Sequence, residues 1–422
     1  MIRFLLKGIL RDKSRSLLPV IVVSIGVCII VMMAGLVDGM INNMIDTTAN
    51  FSTGHVRIMT KAYEKEKEQN PLDLSLLDVS SIIEPLKKQY PEMEWCARIS
   101  YGVLIDIPDE NGESLGQAPV IGSAYDLLSE NSTEFKRIGL DRAIVEGEKI
   151  TCPGQVLVSK DLAHRFGLKK GTVVTLFGSD MNGSMSFRNM EVAGVVSTGI
   201  SMLDRGSIIM DLQDARTLLD MQDAATSVMG FAADGIYRQE QCEQIKQAFN
   251  SVQKTEDPYA PIMLNLTDQD AMDEMLVYMD SVTGMMMVLL IIALSLVLWN
   301  TGVLGGIRRY GEFGVRLAIG ESKWHIFGTL MAEALMVGLI ASVLGTAVGL
   351  MGVWYMQEYG LDYSALMENV SMMMNPIIKA EFTPSLCYIG LVPGVLSVLL
   401  GTALASRAIF KRETANLFKE LD

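Results

Sequence analysis

Histidine is scarce: the chain has 3 in 422 residues, His55, His164 and His325, far apart in sequence. Together with the absence of any C-x-x-C pair, this leaves no ligand set for a metal, and none is expected. Cysteine is also sparse. Cys96, Cys152 and Cys242 lie in the middle of the chain and Cys28 and Cys387 in apolar runs, 5 in all. An odd number in the middle permits at most one bridge, and an ordinary buried thiol is the plainer reading of each; whether any of the three pair stays open. No G-x-x-x-x-G-K-[ST] occurs, so this sequence has no P-loop to cradle nucleotide phosphates. G-x-S-x-G is missing, and no Cys/His or paired-carboxylate constellation stands out, which leaves an enzymatic reading with nothing to act through. Basic residues are outnumbered, 35 Lys/Arg against 49 Asp/Glu, and the net charge of −14 argues against a nucleic-acid partner.

What the chain does have is long apolar runs. Leu17–Val37, Thr283–Leu304, Ile326–Val353 and Ser385–Ala405 each reach the roughly 20 residues that span a bilayer. A basic leader (Arg3, Lys7, Arg11, Lys13, Arg15) precedes the first run. That run is too long for a signal peptide and has no small-residue cleavage site, so it reads as a retained helix. Basic residues cluster in the leader, in the loop after the second run (Arg308, Arg309, Arg316, Lys323) and in the tail (Arg407, Lys411, Arg412, Lys419), whereas Gln357–Pro384 has only Lys379. The positive-inside rule then places both termini and the central loop in the cytoplasm. The expected order is a cytoplasmic amphipathic segment at 1–16, a first span at 17–37, an external domain at 38–282 and a second span at 283–304. A cytoplasmic loop at 305–325, a third span at 326–353, an external loop at 354–384, a fourth span at 385–405 and a tail at 406–422 complete it. Between Asp38 and Asp280 stand 21 Lys/Arg and 38 Asp/Glu, a net −17, so the acidity belongs to the external domain.

That domain is long enough to bury a core of its own. Helical periodicity is expected over Leu74–Tyr90, Gln213–Met221 and Gln239–Val252. Alternating, β-branched runs predict strands at His55–Met59, Arg98–Ile107, Gln155–Ser159, Thr172–Phe177, Arg188–Val196 and Ser207–Met210. The charge run Lys61–Glu68 reads as a solvated face or loop. The fold class is therefore membrane α-helical, four transmembrane helices, plus a large extracytoplasmic α+β domain interrupted by a β-rich insertion at about 152–198.

Within the apolar runs, small residues recur every fourth position at Gly302–Gly306, Gly345–Gly349 and Ser397–Gly401–Ala405, a spacing that lets helices approach closely, either within the chain or across a dimer seam. Glu333 falls inside the third run, where a carboxylate is costly and must face protein or water, or be protonated. Methionine is abundant, 29 residues, either as core filler or as an adaptable surface for lipid-like cargo.

The most specific signal is Asn300-Thr301, then Arg308–Gly320 (RRYGEFGVRLAIG), then Glu333-Ala334. It resembles the "NTM…ERxREFGxLRAIGA…EA" pattern of the MacB/FtsX-like permeases, the type VII ABC transporter architecture, and the match covers nearly the whole length. The tail Ala405–Leu421 resembles that family's basic C-terminal helix, with Thr414-Ala415-Asn416 in place of the usual proline region. The resemblance implies a porter-like α/β domain carrying a sabre-like insertion. It also implies a coupling helix docking on a separate ATPase of the LolD/MacB type, in two copies, through Arg308, Arg309, Glu312, Phe313, Gly314, Arg316 and Gly320. The arginines and Glu312 would form ion pairs, Phe313 would fill a socket, and Gly311, Gly314 and Gly320 would relieve crowding. No cofactor is expected in this chain; ATP and Mg belong to the ATPase. Met1–Lys61, with GLVDGM and STGHVRIM, is similar to the lipoprotein-releasing LolC/LolE permeases. That likeness implies residence in the bacterial inner membrane, a second permease (identical or homologous), lipoprotein cargo, a periplasmic carrier and contact with membrane lipids. A lateral gate for acyl chains is expected at Val31, Leu36, Met40 and Met44 of the first helix and Met285, Met286 and Leu289 of the second, chosen by position and apolarity. Two alternatives stand beside it: efflux or export of a peptide or other amphiphile, and an FtsX-like regulator that moves a periplasmic hydrolase.

Overall fold

The computed structural model describes residues 13–108, 113–197, 204–253, 257–269, 272–308, 315–362 and 377–410. The helices, in chain order, are α1 (Lys13–Thr48), α2 (Lys61–Glu66), α3 (Val79–Gln89), α4 (Glu134–Arg137), α5 (Leu140–Ala143), α6 (Lys160–Phe166), α7 (Leu212–Leu218), α8 (Gln239–Val252), α9 (Met272–Arg308), α10 (Lys323–Tyr359) and α11 (Ser385–Phe410). The strands of the sheet unit are β1 (Val56–Thr60), β2 (Met93–Pro108), β3 (Ser114–Tyr125), β4 (Ile144–Gly147), β5 (Gln155–Ser159), β6 (Val173–Ser179), β7 (Met185–Val196), β8 (Ser207–Asp211), β9 (Ser227–Ala232) and β10 (Pro261–Asn265). Described residues up to 42, those of 275–362 and those from 377 form a helical unit; those between 43 and 274 form a sheet unit.

In the helical unit α1, α9, α10 and α11 are each long and apolar enough to cross a membrane, the four expected. The helices outrun the apolar stretches that announced them. α1 has 36 residues, about 54 Å at 1.5 Å per residue, against roughly 30 Å of hydrocarbon. Helix continues past Val37 through DGMINNMIDTT because nothing there stops it except Gly39, and Gly39 is present for another reason. A Cβ at Gly39 would fall 1.9 Å from the Lys379 carbonyl oxygen, so the chain leading into α11 lies directly on α1.

Small residues close the bundle. A Cβ on Gly345 of α10 would meet the Ser24 carbonyl of α1 at 2.5 Å, and one on Gly349 would meet Val31 at 2.8 Å. Gly390 and Gly394 of α11 abut the hydroxyls of Thr346 and Ser342 in α10, and Gly401 abuts Ser295 and Leu298 of α9. Ser24 donates its hydroxyl to the Ala341 carbonyl at 3.0 Å. The Gly345–Gly349 and Gly401 spacings thus serve packing inside one chain, where close backbone approach stands in for a hydrophobic driving force that lipid does not supply.

The sheet unit is built on one path of strands, β10-β1-β9-β2-β3-β8-β5-β7-β4, with β6 joining β2 and β7. Neighbours are antiparallel except β3–β8 and β5–β7. Strand parity separates two cores, because successive side chains point to opposite faces. Val156, Val158, Ile208 and Met210 join the larger core with Ile58, Trp95 and Ile99, while Leu157 and Ile209 join Tyr125, Ile138 and Leu140 in a smaller one. Covered on both faces, β1, β8 and β9 are buried along their whole length. That is why β9 carries no clean alternation.

The mixed α/β character is as expected, and the structure adds three details. The β-rich stretch 152–198 is continuous with the rest of the sheet: β5 pairs with β8, β6 pairs with β2, and Val156, Leu176 and Val192 belong to the larger core. Lys61–Glu68 is not simply a solvated loop, since Tyr63 is wholly buried and the Thr60 hydroxyl caps α2 by accepting from the Tyr63 N–H at 3.0 Å. The charges of that run ride on a helix anchored by one aromatic residue. All five cysteines are free.

Candidate functional site

After one helical turn at 315–318 the chain stops at Gly320, whose φ of 97° only glycine adopts without strain. The Gly320 N–H donates to the Leu317 carbonyl at 3.1 Å and the Glu321 N–H to the Arg316 carbonyl at 3.0 Å. These two bonds are the Schellman closure of a helix C-terminus. Ser322 then caps α10, its hydroxyl oxygen accepting from the His325 N–H at 3.3 Å. Arg316 lies 4.0 Å from the Glu321 carboxylate, which lies 3.6 Å from the His325 ring. Around this reversal Val315, Ile319 and Trp324 are exposed, the last two by more than four-fifths. Apolar and aromatic tips set among charges have the composition of a protein-docking surface. Of the expected coupling residues, Arg316 and Gly320 sit in this reversal and Arg308 ends α9, whereas Arg309, Glu312, Phe313 and Gly314 lie outside the described residues.

The expected gate residues separate into two groups. Val31 is fully buried against Gly349 and Gly390, and Leu36 packs on the same bundle core. Val31 is therefore internal packing and not part of an open seam: its face of α1 is the one that meets α10 and α11. Met40, Met285 and Leu289 are exposed, and Met44 and Met286 half-buried. α9 carries the most open apolar surface of the four long helices, including Val288, Ile292 and Leu296. Glu333 is half-buried in α10, beside buried Ala334.

Polar contacts that sequence reading missed fix the far end of α1. Thr383 donates its hydroxyl to Asp38 at 2.8 Å, Asn42 donates to Glu381, and the Glu381 N–H donates to the Gly35 carbonyl at 3.0 Å. Asp38 and Asn42 stand four residues apart on one helix face, the only sequence hint of this strap.

Within the sheet unit, α1 is followed by a π turn over Ala49–Thr53, closed by the Gly54 N–H donating to the Ala49 carbonyl at 2.9 Å. Such a turn leaves carbonyls free, and Arg98 of β2 takes them up, donating to Asn50 at 2.7 Å and to Phe51 at 3.4 Å. The same guanidinium binds both Glu134 carboxylate oxygens, at 2.7 and 3.2 Å. It also lies over the rings of Tyr125 and Phe231. Arg137 adds a second cation, contacting Glu134, Glu94 and the Phe231 ring. Burial pushes the Glu134 carboxyl up, but Arg98 and Arg137 outweigh it and hold it below its ordinary value. The neighbouring Cys96 thiol is pushed up to about 12, by burial first and then by Glu134, so it is neutral and unreactive. His55 completes the cluster between Phe231 and Tyr237, its Nδ1 accepting from the Ala232 N–H at 3.1 Å. Burial, then the charge of Arg137, lowers its pKa to about 4 and keeps the ring neutral. The one legible signal for this network was an arginine at the start of an otherwise apolar strand.

Among the described residues no group of His, Cys, Asp or Glu is arranged to hold a metal ion. Comparison with known proteins gives two family matches: the MacB-like periplasmic core domain over residues 16–248, more than half of the chain, and the FtsX-like permease C-terminal domain over residues 284–414. Among solved structures, the chain is similar to the periplasmic region of MacB from Actinobacillus actinomycetemcomitans, at 13% identity and a TM-score of 0.35, covering 51% of this chain and 91% of that one. No curated protein matches. The chain therefore belongs to the MacB/FtsX-like permease family, the membrane components of type VII ABC transporters that act with an ABC ATPase subunit.

Proposed function

We propose that this permease extracts lipoproteins from the bacterial inner membrane and passes them to a periplasmic carrier, driven by a separate ATPase on the cytoplasmic side. The observation that carries the proposal is α9, whose exposed Met285, Leu289, Ile292 and Leu296 form a long, deformable apolar surface suited to acyl chains. The same face is what a second permease copy, identical or homologous, would need to close a lateral gate against Met40 of α1. The ATPase docks on the reversal around Gly320, with Arg316 facing a carboxylate and Ile319 and Trp324 seated in apolar sockets. Both termini lie in the cytoplasm and the sheet unit in the periplasm. ATP binding draws the long helices together, and the cargo leaves on the periplasmic side.

Purification of the chain with its co-expressed genomic neighbours, followed by mass spectrometry of what stays bound, tests this reading. An ATPase together with a triacylated lipoprotein supports it. An ATPase with a periplasmic adaptor or a hydrolase, and no lipoprotein, overturns the cargo in favour of amphiphile export or FtsX-like regulation.

A further inference from the structure

Among the described residues, the lower half of β2 has an edge that no strand pairs. Hydrogen-bond parity settles which way its backbone faces. Arg98 offers its carbonyl, and Ser100 its N–H, to the Thr226 hydroxyl just before β9, and the Glu92 carbonyl accepts from the Ala233 N–H just after it. Even-numbered residues of β2 thus face β9, and the odd-numbered ones face the other way. On that other side β3 supplies partners only from Ile99 onward, where Ile99 stands opposite Ala124. β3 ends at Tyr125, and the next residue, Asp126, turns away, its carbonyl accepting from the Ser132 hydroxyl. Among the described residues, the outward backbone groups of Trp95 and Ala97 therefore have no strand beside them. In place of a strand there is a cavity of about 450 Å³, lined by Met93, Trp95 and Cys96 on one side and Ser129, Asn131 and Thr133 on the other. The indole N–H of Trp95, a residue 5% exposed, also has no hydrogen-bond partner.

Natural sheets protect such edges with lysine, proline, a bulge or a covering loop, because a row of free donors and acceptors captures any extended chain. Met93–Ala97 contains no lysine and no proline, and its pairing with β9 runs without a bulge. Residues 93–97 present about 16 Å of edge at roughly 3.3 Å per residue, and Met93–Cys96 line the cavity. The charge of the surroundings selects among extended chains. The lining itself is mixed, Glu94, Asp126 and Glu134 with Lys87 and Arg137, but the domain between Asp38 and Asp280 carries a net −17, which repels a second copy and attracts a basic segment.

We propose that the β2 edge at Met93–Ala97 is a strand-addition site for an extended, net-basic segment of a separate protein. Main-chain bonds to Trp95 and Ala97 supply the affinity, and the acidic domain supplies the attraction. This site involves neither the membrane helices nor the turn around Gly320.

The test uses the full chain in lipid nanodiscs and the anisotropy of a labelled short peptide alternating lysine and valine. Two controls accompany it: the same peptide with a central proline, and its glutamate–valine counterpart. Ala97→Pro blocks the outward N–H while leaving the bonds to β9 in place, and Asn131→Trp fills the cavity from an exposed loop position, so a folding failure in one leaves the other informative. The expected result is saturable binding of the lysine–valine peptide, weakened about tenfold or more by the proline in the peptide and by either substitution, as the loss of two backbone bonds requires. The glutamate–valine peptide binds more weakly than the lysine–valine one. Equal binding of the proline-containing peptide would reduce the effect to charge alone and overturn the proposal. No binding of the lysine–valine peptide overturns it too, as does a dimer that Asn131→Trp disrupts while peptide binding is unchanged.

Discussion

Replacing Glu134 by glutamine keeps the shape of the side chain and removes the anion from a site holding two guanidinium groups. Both partners of the Arg98–Glu134 pair are sealed from solvent, with side chains 4% and 2% exposed and a shortest contact of 2.7 Å. Arg137 retains Glu94, but Arg98 is left with carbonyls, aromatic rings and no counter-charge. Breaking a buried pair from one side costs about 3–5 kcal/mol, mostly the desolvation of the charge left behind. For a unit of this size each kcal/mol moves the unfolding midpoint by roughly 2–4 °C, so Glu134→Gln is expected to lower it by about 10 °C. Arg98→Met also destabilises, and it frees the Asn50 carbonyl at the end of the π turn. The double variant Arg98→Met with Glu134→Leu should be far less harmed than the two losses added together, because an apolar pair of similar volume does not need the charges. The pH dependence has a definite sign. The folded carboxyl titrates below its ordinary 4.5, so the contribution of the pair is intact above that value and is lost as pH falls through the lower, folded one. Thermal unfolding of the full chain in nanodiscs, followed by intrinsic fluorescence, measures all three variants. A shift under about 2 °C for Glu134→Gln would refute the claim that this buried network stabilises the sheet unit.

Other expectations follow from single sites. His55 is neutral in the fold, with a pKa near 4 against 6.5 when free, so acidification between those values destabilises the domain by up to about 3 kcal/mol; His55→Asn, which keeps an acceptor for the Ala232 N–H, should flatten that part of the pH–midpoint curve. Gly39→Val should prevent the segment before α11 from closing on α1, because the clash is with backbone, and should be read as loss of folded protein in size-exclusion chromatography. Gly320→Val should cost about 1–2 kcal/mol through its left-handed backbone and weaken ATPase binding several-fold, checked by co-purification.

The four spans were legible because lipid demands uninterrupted apolar helix, and the turn at Gly320 because a helix must end where the motif ends. The full length of α1 was not legible. Hydropathy reports where lipid stops, whereas helix continues through Asn42–Thr48 for as long as its backbone bonds are made. Strands β3, β4, β9 and β10 were missed for related reasons. β9, buried on both faces, reads as a plain apolar run, and β10 is short and starts with proline. Glycine spacing correctly marked close helix contacts, but only coordinates assign Gly345 and Gly349 to α1 of the same chain. Val31 was misassigned because apolarity along a spanning helix does not distinguish the lipid face from the protein face. The Arg98 network joins residues far apart in sequence, and no local pattern announces such a meeting.

The most direct test of the account is ATP-dependent release of cargo. Proteoliposomes carrying the full chain, its ATPase and a fluorescent triacylated lipoprotein are given a soluble periplasmic carrier, and lipoprotein in the supernatant is measured with ATP and with a non-hydrolysable analogue. The account predicts release only with ATP, and loss of that release when Met285 and Leu289 are both replaced by asparagine while ATPase binding persists. Steady ATP hydrolysis with the lipoprotein remaining in the vesicles would contradict it.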